Sequence, residues 1–214
     1  MSNKVLSERI RVVGLCGSLR KKSFTRMALQ IALKGASQLN VEAELIDLRE
    51  YDLPFCDDSQ EVYNKPDVLR LSQIIKASQG IILASPEYHG SFTGVLKNSL
   101  DLMGFKEFQG KIIGLLGVAG GSLGAINALN GLRTVGRQLR SWVIPTQVSI
   151  PHVSSAFDNH ESLVDNQIEA RVLNLGRDVA KYSFLHHSSQ AARFVTEWEK
   201  ASINPGGEKD VYSQ

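Results

Sequence analysis

The chain lacks an excess of charge of either sign. Its 24 Lys+Arg nearly balance its 22 Asp+Glu, which leaves a formal net charge of +2. That argues against nucleic acid or an anionic membrane surface as a partner. Long apolar runs are missing as well, and no stretch approaches the ~20 residues that a membrane helix needs. Cysteine is scarce: Cys16 and Cys56 provide neither a metal-ligand spacing nor a disulfide framework. Segment 1–14 carries charges up to its first apolar run and holds no secretory apolar core. A reducing cytoplasm is therefore the expected location. Two nucleotide fingerprints are absent. Gly14 and Gly17 are followed by Arg20 rather than by the third glycine of G-x-G-x-x-G, and no Walker loop is present. There is no internal repeat and no low-complexity tract.

What is present describes a soluble globular protein. Apolar residues make up 43% of 214 and charged residues 21%, enough for one domain of ordinary size with a continuous core. Near-continuous apolar runs predict buried strands over 10–16, 80–85 and 111–119, and an alternating run predicts another over 41–48. A fifth strand is predicted over 142–150. Its Pro145 belongs at a sheet edge, because proline cannot donate to a central ladder. Helical spacing predicts helices over 24–39, with Asn40 as the stop, and over 67–78, 93–103, 125–139 and 162–182, the last continuing toward His187. Between the second strand and the second helix lies YDLPFCDDSQEVYNKP. A loop of that length is usually functional or disordered. Residues 1–8 read as a frayed lead-in and the end, SINPGGEKDVYSQ, as mobile. Strands alternating with helices predict a doubly wound α/β fold: a five-stranded parallel sheet, order 2-1-3-4-5, with helices on both faces. The division expected is a domain over 1–187 and a C-terminal extension, partly disordered, over 188–214.

In such a sheet ligands bind beyond the carboxyl ends of the strands, where strand order reverses. Three glycine- and serine-rich loops follow strands one, three and four. The first, GSLRKKSFTR, leads into a helix, and helix N-termini attract anions. Ser18, Ser23 and Thr25 offer hydroxyls, and Arg20 and Arg26 offer charge, which suits a terminal phosphate monoester. The same donors serve a plain helix cap, and spacing alone leaves both readings standing. The second loop, 85–91, holds Tyr88, whose face suits a planar ring, and Gly90, which permits close backbone approach. It reads equally as a surface turn. The third, Gly120-Gly121-Ser122-Leu123-Gly124, is either the opposite wall of the same pocket or a flexible connection.

GSLRKKSFTR resembles the GS-x-R-x-x-S-x-N/T phosphate loop of the NADPH-dependent FMN reductase family. SPEYHGSFTGVLKNSLD resembles that family's PEYNGS-x-PG-x-LKNAID segment. AGGSLGAINALNGLRTVGRQLRSWVIP resembles its G-G loop with the following helix and last strand. The resemblance covers roughly 9–150. It implies a flavodoxin-like fold, bound FMN, and NADPH or NADH as co-substrate. The implied activity is reduction of quinones, azo dyes, metal oxyanions or free flavin by a ping-pong cycle in which NADPH and acceptor share one face of the ring. A homodimer or homotetramer is implied too. Ser18, Arg20, Ser23 and Thr25 should hold the phosphate. Pro86, Glu87, Tyr88, His89 and Gly90 should line the ring with Ser91 nearby, and Gly120 and Gly121 should complete the pocket. Because the flavin carries the chemistry, no catalytic side chain and no metal ligand is named. The chain departs from the pattern at His89 and Thr25, where the family has Asn, and at Ser91-Phe92-Thr93, where it has S-x-P. The alternative reading is a non-enzymatic flavodoxin-type electron carrier. Carriers are strongly acidic, whereas this chain is slightly basic. A third is a regulatory module that has lost its flavin.

Cys16 reads as a small buried apolar residue and His186-His187 as solvated surface, since adjacent helical residues diverge. Trp142 and Trp198 read as core or interface anchors. Arg133, Arg137 and Arg140, with Lys97 and Lys106, read either as a solvated face or as a site for the extra phosphate of NADPH.

Overall fold

The computed structural model describes residues 9–38 and 41–200. The expectations for the lead-in 1–8, for Leu39 and Asn40, and for the tail 201–214 lie outside the described residues. Among those described, five strands form one parallel sheet: β1 Arg11–Cys16, β2 Glu42–Asp47, β3 Gly80–Pro86, β4 Ile112–Val118 and β5 Trp142–Ile150, in the order β2-β1-β3-β4-β5. This is the flavodoxin-like doubly wound arrangement. β1 pairs with both β2 and β3, so the winding reverses between β1 and β3.

The apolar strands are buried on both faces. On one face Val12, Cys16, Ile82 and Leu116 pack with α1 (Phe24–Ser37) and α8 (Asn166–His187). On the other, Val13, Leu15, Ile81 and Leu83 pack with α3 (Pro66–Ala77), α4 (Gly94–Asp101) and α6 (Ile126–Gln138). Successive strand side chains alternate between faces, so each strand feeds two cores at once. The first face is closely packed because its glycines admit the helices. A Cβ on Gly14 would lie 2.7 Å from Leu29, and one on Gly114 would lie 2.5 Å from Val179. Where α1 crosses α8, a Cβ on Gly176 would overlap the Ala32 carbonyl oxygen, and one on Gly35 would overlap that of Leu173. This contact fixes the seat of α1, and with it the loop at its N-terminus.

β5 is an edge strand, as Pro145 requires. Its pairing jumps from Ile113↔Val143 to Leu115↔Gln147, an irregularity that spans the proline. Arg133 donates to the Ile144 carbonyl at 3.0 Å and to Gln147 Oε1 at 2.8 Å, so its charge supports this bulge.

The sequence reading missed several short elements. The long loop is structured: a 3-10 turn at Leu48–Glu50 leads into it, and it contains helix α2 (Gln60–Tyr63), whose cap is Ser59. α5 (Phe105–Phe108) and α7 (Val153–Ala156) are single turns, too short for a periodic signal. α8 starts at Asn166, four residues after the expected 162, because Asp165 caps it by accepting from Gln167 N and Ile168 N. The chain then continues as a further helix, α9 (Ser189–Glu199). Trp142 is 62% exposed, which rules out the core reading for it. The side chain of Trp198 lies outside the description.

Gly176→Ala tests the helix crossing. Overpacking costs about 1–3 kcal/mol, and here the obstacle is backbone that cannot step aside. A net fall in the urea midpoint is expected, whereas Gly94→Ala, with nothing within 4 Å of its Cβ, should leave the midpoint nearly unchanged.

Candidate flavin site

The three loops meet at the carboxyl edge of β1, β3 and β4. The loop after β1 is pinned first. Gly17 N donates to the Ala84 carbonyl at 2.8 Å, and a Cβ there would come within 2.8 Å of Leu96 and 3.0 Å of Ala84 O. Ser18, Ser23 and Thr25 are buried. Ser23 is the N-cap of α1, its Oγ accepting from Arg26 N at 3.2 Å. The helix-cap reading is therefore realised, and it leaves the hydroxyl proton free to donate. The other first-turn amides of α1 have no intrahelical acceptor.

The two arginines separate. Arg26 is committed within the protein: it donates to Asp47 Oδ2 at 3.2 Å and to the Lys21 carbonyl. Arg20 is exposed, with its guanidinium 5.4 Å from the centre of the Tyr88 ring. Asp47 is buried at the end of β2 and also receives Arg49 at 2.6 Å. Burial opposes its charge, but hydrogen bonds from Arg49 and the charges of Arg49 and Arg26 outweigh that, and its carboxyl is held below the usual value. Asp47 is thus neutralised by two cations. Burial pushes the Cys16 thiol up, so it stays protonated and serves as a small buried residue.

The loop after β3 is a tight hairpin turn. Tyr88 N donates to Ser91 O at 2.9 Å and Ser91 N returns to Tyr88 O at 3.1 Å. The two residues between them are left-handed, His89 at φ 52° and Gly90 at φ 76°, as a type I′ turn demands. Histidine is among the residues that tolerate this region, as Asn is, so the His89 departure costs the turn little. Pro86 is buried at the strand end, whereas Tyr88, His89, Gly90 and Ser91 are exposed. Glu87 turns the other way: its carboxylate accepts from Ala128 N at 3.0 Å and from Asn127 Nδ2 at 3.4 Å. It therefore supplies the N-terminal anion for α6, whose own Ala125 cap has no side-chain acceptor. Glu87 can face the ring only through its backbone.

In the third loop, Gly120 and Gly121 are exposed with open space where a Cβ would stand. The glycine that the turn itself requires is Gly124, at φ 66°, where a Cβ would overlap Ser149 Oγ.

Thr93 joins these parts, and the sequence reading passed over it. Its hydroxyl donates to Gly17 O at 2.7 Å and accepts from Leu96 N at 3.3 Å, while its amide donates to Ser85 Oγ at 3.0 Å. It caps α4, which answers the missing Pro of the S-x-P pattern. A Thr directly before a helical run was the available signal. Lys97 pairs with Asp101 at 2.6 Å, the Arg140 guanidinium lies 4.3 Å from the Phe105 ring, and Arg133 is held by β5. Three of the five cations proposed for the extra NADPH phosphate are engaged elsewhere. Among the described residues no group of His, Cys, Asp and Glu is placed to hold a metal ion.

Donor hydroxyls and amides at a helix N-terminus, and an exposed arginine resting on an exposed aromatic ring of the neighbouring turn, suit a phosphate monoester carrying a flat ring. Fold and site thus define a flavodoxin-like protein built for a flavin mononucleotide. The sequence model of NADPH-dependent FMN reductase matches residues 10–155. NADPH-dependent FMN reductase ArsH of Shigella flexneri is 30% identical over 181 residues, 82% of this chain and 69% of the relative. The NADPH azoreductase of Bacillus sp. (strain OY1-2) is 37% identical over 139 residues, 65% of this chain and 75% of that one. The solved FerB flavoenzyme of Paracoccus denitrificans superposes with a TM-score of 0.70 at 22% identity, over 83% of this chain and 98% of that chain, a likeness of fold. The chain belongs to the NADPH-dependent FMN reductase family, and is an oxidoreductase using FMN and NAD(P)H.

Two variants probe the framework. Thr93→Val should lose about 1–3 kcal/mol of stability, the cost of a missing cap and an unpaired buried carbonyl, and Thr93→Ser should recover most of it in thermal melts. Asp47 contributes stability that is complete above its unfolded value near 3.8 and is lost as pH falls through its depressed folded value. Urea midpoints between pH 6 and pH 3 should therefore fall more steeply in the parent than in Asp47→Asn.

Proposed function

We propose that the protein transfers reducing equivalents from NAD(P)H to a small oxidised acceptor, such as a quinone, azo dye, metal oxyanion or free flavin, with the co-substrate and the acceptor using one site in turn. The observation that carries this is the linkage of a buried hydroxyl and amide cradle to an exposed Tyr88 turn through Thr93. FMN, when bound, supplies a ring that accepts and passes on a hydride. Ser18, Ser23 and Thr25 would hold its phosphate from within, and Arg20 would close over it by leaving Tyr88. The Pro86–Ser91 turn would present backbone and the Tyr88 ring to the flavin edge, with Gly120 and Gly121 opposite. The likeness to an azoreductase supports an aromatic acceptor.

The near-neutral charge balance favours an enzyme over an electron carrier that docks on proteins. Among the described residues no helix is long and apolar enough to cross a membrane, and we place the enzyme in the cytoplasm as a homodimer or homotetramer. Residues 1–187 would form the flavin-binding unit, with 188–214 an extension.

The test is to saturate the protein with FMN, add NADPH and assay acceptors. Parallel double-reciprocal lines are expected, and intersecting lines would refute the shared site. Arg20→Ala should weaken FMN retention roughly tenfold through loss of a charge-assisted contact. Unchanged retention on gel filtration would contradict the role given to Arg20.

A further inference from the structure

We propose that the run 51–55 forms an apolar wall that selects flat aromatic acceptors over oxyanions, with Phe55 as the specificity-determining side chain and Asn98 as the positioning residue that holds it. This deepens the reductase reading above and rests on it. The observation is a cleft of about 720 Å³ that takes in the β1 loop, Tyr88 and the start of α4 and is walled on its remaining side by Tyr51, Leu53 and Phe55. FMN would fill the part lined by the β1 loop, and the run 51–55 would border what stays open for an acceptor.

After the 3-10 turn the chain becomes extended, with Tyr51 at φ −126°, ψ 129°. In extended backbone alternate residues share a side, and Tyr51, Leu53 and Phe55 line the cleft while Asp52 and Pro54 do not. The Phe55 ring is 87% exposed, yet its backbone is held on both sides. Asn98 Oδ1 accepts from Cys56 N at 3.0 Å, and Asn98 Nδ2 donates to the Pro54 carbonyl at 2.9 Å. One carboxamide thus imitates a neighbouring strand. Cys56 Sγ adds a contact to the Asp101 carbonyl at 3.4 Å.

Across the cleft stand Leu19 and Tyr88, both exposed. Three large apolar side chains therefore ring one opening, and an apolar acceptor would remove them from water together. Arg20 is the one charged side chain among the described lining residues, and the phosphate loop claims it. An oxyanion would lose hydration here and meet no uncommitted cation.

The experiment compares the parent, Phe55→Ala and Asn98→Ala as FMN-loaded proteins, with menadione and chromate as probes. For Phe55→Ala the KM for menadione should rise about tenfold, equivalent to about 1.4 kcal/mol, with the KM for chromate moving less than about twofold. Equilibrium dialysis of menadione against the oxidised protein, without NADPH, should show the same tenfold weakening. Asn98→Ala should reproduce both shifts and speed proteolytic cleavage within 52–58. Equal changes for both acceptors, or none, would overturn the proposal. So would parallel loss of FMN from Phe55→Ala, which would assign the wall to the cofactor cradle, or a fall in its solution mass, which would assign the wall to a contact between copies. Should the loaded parent fail to oxidise NADPH with either acceptor, the reductase reading fails, while dialysis still decides whether the wall binds aromatics.

Discussion

The Thr93 hydroxyl, donating to the Gly17 carbonyl at 2.7 Å, ties together the loops that leave β1 and β3 where the windings diverge. β1 sends its chain to one face of the sheet and β3 sends its chain to the other. The ladder itself carries the β1 loop only as far as Gly17, whose amide holds the Ala84 carbonyl. Thr93 makes the tie from a buried position. It anchors α4 at the same time, because its oxygen takes the Leu96 amide while its own amide holds Ser85. The β1 loop and the Tyr88 turn are therefore set at a constant separation, which the proposed ligand, with an anion at one end and a flat head at the other, would require.

Several charges around the site are spent on holding loops: Arg26, Asp47, Arg49 and Glu87 all bond within the protein. Asp47 is flanked by Arg26 and Arg49, so the carboxylate nearest the phosphate loop brings no net repulsion. Arg26 also grips the Lys21 carbonyl, stiffening the loop from behind. Glu87, in the segment most characteristic of the family, caps α6 and so ties the second loop to the helix that follows the third. Arg20 lies at the surface, resting on Tyr88, where it can change partner without uncovering a buried charge.

Much of this was legible in the residues. The apolar runs of β1, β3 and β4 carry enough two-faced burial to identify a parallel sheet, and Pro145 named the edge because a missing N–H has no tolerable place inside. Ser23 was readable both as cap and as phosphate donor, and the geometry realises the cap. Other features escaped. Arg133 looked like a solvated cation until the bulge in β5 gave it two acceptors. Glu87 was read as a ring residue with its neighbours in the motif, yet its carboxylate turns away to the Ala128 amide. α5 and α7 are shorter than any period that could betray them, and Asn98 carried no signal because its partners lie 42 and 44 residues away.

The sequence by itself determined which segments are strands, which loops hold the donors, and the family, because periodicity and local motif are encoded within a few residues of one another. The tertiary structure decided which cations are free, which carboxylate is neutralised, where Glu87 points and what walls the cleft. Each of these depends on hydrogen bonds or ion pairs between segments far apart in the chain, and the folded geometry alone selects among the many partners that composition permits.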